Sequence, residues 1–240
     1  ADAVFAAVTP AVKLVFVCAP GNPAGAGVPR SEIFRLAESL AGLALLVVDE
    51  AYVEFVEPGS GFGSVAPCIG EFENLVVLRT LSKAWALAGA RVGGLLADAR
   101  VAALLRKIMP PYPLPSPSVN AALHALQDAG RRVVTERIRT ICSERERMRG
   151  ALLTLANIRA VLPSQANFLA VRFKDADAAL AVFRDAGVIV RDVRRYPGLA
   201  DALRITIGTP AENDRVLAAL GGVAPAVFSS GRAMQAEQPA

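Results

Sequence analysis

The sequence predicts an α/β fold, and three observations carry that expectation. Short apolar runs alternate along the chain with longer segments of helical period, as strands alternate with helices. The first run is continuous rather than polar at every second residue, as in a strand covered on both faces. Polar clusters follow directly on the ends of the runs, where ligands sit in open α/β sheets. The 240 residues suffice for one large domain or one and a half ordinary ones.

In order, a strand-like segment opens the chain at "ADAVFAAVTP", and "KLVFVC" (13–18) is the first buried strand. "PRSEIFRLAESLA" (29–41) is a helix, with Pro29 in its first turn and Ile33, Phe34, Leu36, Ala37, Leu40 and Ala41 on one face. "ALLVVDE" (44–50), "NLVVLRT" (74–80) and "GGLLAD" (93–98) are three more strands. A helix "ARVAALLRKI" leads into the proline-dense, extended passage "MPPYPLPSP". "SVNAALHAL" is helical, and a long helix follows through "GRRVVTERIRTICSERERMRG". Along it Val134, Ile138, Ile141, Met148, Leu152 and Leu155 recur at spacings of three and four or multiples of them, with Arg and Glu assigned to the wet face. "ANFLAVRF" (166–173) is a strand. The helix after it has Asp175 as N-cap and Gly187 as its stop. "VIVRD" and "LRITIG" are further strands. The last helix opens with a capping box, Thr209 and Glu212, and Pro210 at its first position. This order predicts a doubly wound domain over 1–145 and a smaller α+β domain over 146–225, bridged by the long helix, with 226–240 as a flexible tail. No internal repeat is present.

Composition narrows the function. Hydrophobic residues make up 53% and the mean hydropathy is +0.41, with alanine supplying much of both. The longest apolar run, Leu40 to Val48, is interrupted by Gly42 and ends at Asp49, too short to span a bilayer, so no membrane partner is expected. The N-terminus has no basic n-region, so no signal peptide is expected either. Net charge is +4, but the basic excess lies in the long helix, mixed with glutamate and without aromatics. That argues against a nucleic-acid partner. Cys18, Cys68 and Cys142 have neither a disulfide nor a zinc spacing, and a reducing cytoplasm suits them. The single histidine, His124, falls in a helix, so neither a Ser-His-Asp triad nor a two-histidine metal site is expected.

Three polar clusters remain. "APGNPAG" (19–25), taken alone, is a tight turn whose Asn22 can donate or accept. In "VVDEAY" (47–52), Asp49 reads equally as an N-cap or as a carboxylate that meets a cation, and Tyr52 as core or as a ligand contact. "TLSKAWALAGARVGG" (80–94) interrupts a buried strand with Thr80, Ser82 and Lys83 and brings Arg91 after them. Together they supply one ligand's needs: a carboxylate for a protonated pyridine nitrogen, amide and phenol donors for a phenolate oxygen, an amine for an aldehyde, and hydroxyls with a guanidinium for a phosphate. That ligand is pyridoxal 5′-phosphate (PLP).

At these residues the chain resembles the class II PLP-dependent aminotransferases of fold type I, and among them most closely the histidinol-phosphate aminotransferases of histidine biosynthesis. "NPAG", "VVDEAYVEF", "TLSKAWALAGARVGG", "ANFLAVRF" and "LRITIGT" carry the likeness, which extends over residues 10 to 220. The resemblance implies a mostly parallel mixed sheet flanked by helices plus a smaller C-terminal domain, and a homodimer whose sites are lined by both subunits. It implies transfer of an amino group from L-histidinol phosphate to 2-oxoglutarate, the amino donor and 2-oxo acid being the small-molecule partners. Lys83 would bind the cofactor aldehyde and then move a proton, with a pKa depressed by its neighbours. Asp49 would hold the pyridinium proton, Asn22 and Tyr52 the phenolic oxygen, and Thr80, Ser82 and Arg91 the phosphate. Arg204 would grip the substrate's anionic group, with Arg191 as a second contact; Asn167 and Phe168 match the pattern as structural residues.

The departures are Ala24 where Thr or Ser is usual, Gly94 where an aromatic is common, and Ala86 where Gly is usual. The resemblance also implies a preceding portion with a phosphate-binding loop, a ring-stacking aromatic and a tyrosine reaching the neighbouring subunit, none of them within the 240 residues. The alternatives are a related aromatic aminotransferase, a threonine-phosphate decarboxylase, or an inactive aminotransferase-like chain acting as a binding module.

Overall fold

A computed structural model describes residues 1–221. The first segment is a short helix, α1 (Asp2–Ala6), rather than a strand: its carbonyls close local turns, with Phe5 N–H bonded to Ala1 O at 3.0 Å. The next elements are β1 (Leu14–Cys18), α2 (Arg30–Ser39), β2 (Leu45–Asp49), β3 (Leu75–Thr80) and β4 (Gly93–Ala97). They form one four-stranded sheet in chain order, with β1, β2 and β3 parallel and β4 antiparallel. Among the described residues the order never reverses, so no doubly wound switch point lies within them. The sheet is nevertheless the mostly parallel mixed one expected.

Helix α2 covers one face of this sheet. Ile33, Leu36, Ala37 and Leu40 pack on Leu46, Val48, Leu75 and Val77, all of them buried. Strand β1 departs from its expected double burial. Val15 and Val17 pack on that core, while Leu14 and Phe16 are 52% and 64% exposed. Strand alternation sends them to the opposite face, where no described element covers this edge.

The chain then runs through α3 (Ala99–Ile108), α4 (Ser116–Ala125) and α5 (Asp128–Leu153). A second sheet follows, made of β5 (Ile158–Val161), β6 (Phe168–Phe173), β7 (Arg191–Asp192) and β8 (Ala202–Thr206), in the order β5-β6-β8-β7 and antiparallel throughout. Helices α6 (Ala176–Asp185) and α7 (Pro210–Ala219) pack on it. Both expected caps form: Asp175 accepts from Ala178 N–H at 2.9 Å, and Thr209 and Glu212 make a reciprocal box. Strand β5 has no signature in the sequence, since only Ile158 and Val161 are strongly apolar. "VIVRD" pairs over two residues only, and Ile189 is fully exposed.

The apolar stripe of α5 packs as its spacing predicts, with Val134, Met148 and Leu152 buried. Its charges do not all face water, however. Arg145 is 2% exposed and Glu144 8%. Glu144 meets Arg147 at 2.7 Å and Asn213 Nδ2 at 2.7 Å, joining α5 to α7. No helix of the described residues is long and apolar enough to cross a membrane. The expected flexible tail, 226–240, lies outside the described residues.

Candidate active site

Three parallel strands ending at one edge bring their C-termini side by side, with Cys18 opposite Asp49 and Asp49 opposite Leu78. The half-buried Asp49 accepts the Ala51 N–H at its Oδ1, 3.0 Å, and among the described residues its Oδ2 has no hydrogen-bond partner. The next residue points the other way, as strand geometry requires. Glu50 is 1% exposed, and its carboxylate accepts from Val65 N–H at 2.6 Å, Ser64 Oγ at 2.6 Å and Arg79 Nη1 at 3.3 Å. Of two adjacent carboxylates, one is fixed inside and the other is left at the strand tip.

The loop between β3 and β4 carries Lys83 and Arg91. It is closed by Leu81 N–H to Val92 O and Leu87 N–H to Leu81 O, both at 3.0 Å, and anchored by the buried Ala84. Lys83 is exposed, and its Nζ lies 5.2 Å over the Tyr52 ring. Thr80 Oγ1 donates to Ser82 Oγ at 2.9 Å and accepts the Ser82 N–H at 3.1 Å, so both hydroxyls sit at the strand's end. Arg91, in left-handed backbone at φ 57°, donates to the Ala88 carbonyl at 3.0 Å and makes no hydrogen bond to Thr80 or Ser82.

The second sheet supplies the opposite wall. Arg204, in the middle of β8, donates from Nη1 to Asn22 Oδ1 at 2.6 Å, and its Cζ lies 4.8 Å over the Phe168 ring. Phe168 meets Tyr52 edge-on, with centroids 5.2 Å apart and planes at 90°. A continuous series of contacts therefore runs from Lys83 through Tyr52, Phe168 and Arg204 to Asn22. Arg191 is the cross-strand partner of Arg204 and is exposed. The Tyr196 phenol beside them is held below its usual range, first by the hydrogen bond from Arg195 and then by the charges of Arg195, Arg191 and Arg204. That end of the site is positive. A cleft of about 330 Å3 near the start of α7, lined by Val188, Thr206, Glu212 and Arg215, contains none of these residues.

The sequence-predicted residues thus divide. Lys83, Tyr52, Asn22 and Arg204 are joined through Phe168; Thr80 and Ser82 are joined to each other; Asp49 and Arg91 share the same sheet edge without side-chain contact to the rest. Phe168 stands at the centre of the series, although its sequence signal was that of a core residue. The donor set fits PLP on the structure's own terms. A free amine, a carboxylate with an open oxygen and paired hydroxyls stand at one sheet edge, and the Arg204 Nε is buried without a partner among the described residues.

Two sheets, an α/β layout and a polar strand edge set the class of fold, and the chain belongs to the class I and II aminotransferases, a family it matches over residues 1–220. The histidinol-phosphate aminotransferase of Xylella fastidiosa (strain Temecula1 / ATCC 700964) is 52% identical over 215 residues, covering 90% of this chain and 58% of the relative. Among solved structures, the histidinol-phosphate aminotransferase of Sinorhizobium meliloti in complex with pyridoxal-5'-phosphate is similar at a TM-score of 0.76 and 32% identity, over 86% of this chain and 56% of that one. The enzyme of that name from Clostridium acetobutylicum shares the fold at a TM-score of 0.79, with 23% identity over 87% of this chain and 63% of that one. The chain spans 58% of the length of the curated relative it matches.

Proposed function

We propose that the chain forms the greater part of a PLP-dependent aminotransferase that takes L-histidinol phosphate and 2-oxoglutarate to imidazole acetol phosphate and L-glutamate. The observation that carries the proposal is the series Lys83–Tyr52–Phe168–Arg204–Asn22, which sets an amine for a carbonyl cofactor and a guanidinium for an anionic substrate on one continuous wall. The names of the relatives support the choice of donor.

When bound, PLP supplies an electron-accepting ring that stabilises negative charge at the substrate α-carbon. Asp49 would keep the ring nitrogen protonated through its open oxygen. Tyr52 and Asn22 would donate to the phenolic oxygen, and Thr80, Ser82 and Arg91 would hold the phosphate, with Arg91 leaving the Ala88 carbonyl to do so. Lys83 would hold the aldehyde carbon and, once released, move the substrate's α-proton. The Tyr52 ring face attracts the lysine's cationic form and fixes its approach. Arg204 is held by Asn22 and lies against Phe168, and its donors without a partner would meet the substrate phosphate, with Arg191 beside it.

The same reading divides the chain into a cofactor-binding part, 1–145, and a smaller substrate-side part, 146–225. It makes the full-length protein a cytoplasmic homodimer.

The test is the absorbance of the purified chain with added PLP beside Lys83→Ala. Expected is a visible band of lysine-bound PLP, absent in the variant and bleached by L-histidinol phosphate or glutamate. A folded chain with no such band, together with a full-length protein that fails to turn over histidinol phosphate, overturns the reading.

A further inference from the structure

Arg145 is a fully buried cation on a helix whose other buried positions are mostly apolar, and burying a charge is costly unless its hydrogen bonds are met. Its Nη1 donates to Phe55 O at 2.9 Å and to Ala166 O at 3.1 Å, carbonyls 90 residues upstream and 21 downstream of it. The only carboxylate paired with it among the described residues is Glu146, at 3.2 Å and 60% exposed. Each carbonyl belongs to a segment that bears a member of the site wall. Phe55 closes the turn begun by Tyr52, its N–H bonded to Tyr52 O at 3.1 Å. Ala166 precedes Phe168, and the intervening Asn167 carbonyl takes the Ile207 N–H at 2.9 Å, just beyond the strand of Arg204. Phe55, Tyr52, Ala166 and Phe168 also share one buried cluster with Ala84, the neighbour of Lys83.

Stability alone does not ask for arginine here. An apolar residue would continue the α5 stripe without the desolvation cost. What arginine adds is a fixed spacing between two backbone carbonyls that no aliphatic side chain can satisfy. We propose that Arg145 is a positioning residue: its Nη1, bonded to both carbonyls, sets the distance between the Tyr52 turn and the segment leading into the Phe168 strand, and through them the placement of Lys83 relative to Arg204. The link to turnover rests on the proposed aminotransferase reading; the clamp itself does not.

The test compares Arg145→Met, Arg145→Lys and a control, Arg147→Met, which breaks the Glu144 and Asp214 ion pairs on the same helix away from the site. On the cofactor-free chain, hydrogen–deuterium exchange is expected to rise about tenfold or more at residues 51–57 and 164–168 together in Arg145→Met. Arg145→Lys should recover part of that protection, and Arg147→Met should leave both segments as in the wild type. With PLP added, the pH midpoint of the bound cofactor's visible band is expected to move in Arg145→Met and not in the control. Unchanged exchange at the two segments, or a rise no larger than in Arg147→Met, overturns the proposal. Absence of the PLP band in the wild type, together with a full-length protein that does not turn over histidinol phosphate, would defeat the functional reading while the exchange result still decides the clamp. Should Arg145→Met fail to fold, Arg145→Lys alone carries the exchange test, with the same two outcomes.

Discussion

Ala86 stands in left-handed backbone, φ 56°, three residues after Lys83. A Cβ there is strained, which is the physical reason to expect glycine at such a place. Ala86→Gly is therefore expected to stabilise the chain by roughly 0.5–1 kcal/mol, read as a higher urea midpoint at constant slope. The place of Asp49 at the strand tip was legible because it ends an apolar run. Glu50 beside it was not, because its purpose depends on Ser64, Val65 and Arg79, which only the fold brings near. Glu50→Ala leaves the buried Val65 N–H without its partner while Arg79 keeps Glu54 at 2.8 Å, and a loss of about 1–3 kcal/mol is expected by chemical denaturation. Arg204→Met should raise the KM for a phosphate-bearing donor by about 10- to 100-fold with a smaller change in kcat, as loss of charge-assisted hydrogen bonds does.

At the scale of the element, α5 is the instructive case. Its apolar stripe runs 134, 138, 141, 148 and 152, and the one missing step in that 3-4 rhythm falls at Glu144 and Arg145. The gap was visible in the sequence. Charge on a helix ordinarily means solvent, and the carbonyls that make Arg145 an interior residue lie far away in sequence. Glu144 behaves similarly: the Arg147 hydrogen bond first, with Asn213 adding, holds its carboxyl below the usual range against the opposing effect of burial. A depressed folded pKa contributes stability above the unfolded value, near 4.3, that is lost as pH falls through the folded one. The melting temperature of Glu144→Gln should lie below wild type at pH 7, and the gap should begin to narrow as pH falls below about 4.3 and go on narrowing through the folded value. A gap that stays constant as the pH is lowered through this range would contradict the assignment. Strand β5 and the exposed face of β1 escaped the sequence for a different reason. Pairing partners and uncovered faces are properties of neighbours, and a local pattern contains no neighbours.

The molecule as a whole is two sheets held together where the site lies. Gly25 has φ 80° and presses so closely on Ser164 that any Cβ would collide with its hydroxyl, while its carbonyl takes the Gln165 N–H at 2.8 Å. Gly25→Ala is expected to cost about 2–4 kcal/mol from overpacking and backbone strain combined. It should also split a single denaturation curve, with the fluorescence of Trp85, which packs at the junction, changing before the far-UV circular dichroism. The overall class was legible because strands, helices and polar tips recur in a fixed order; the junction was not, because its contacts join the two ends of the chain. The bond from Arg204 to Asn22 spans 182 residues of sequence. During synthesis Asn22 emerges 182 residues before Arg204, so for that interval the nascent chain carries the Asn22 turn with no opposite wall. This wall can assemble only after Arg204 has emerged, and a folding helper that shields the exposed Tyr52 and Phe55 during that interval would act on a step with a very large loop to close.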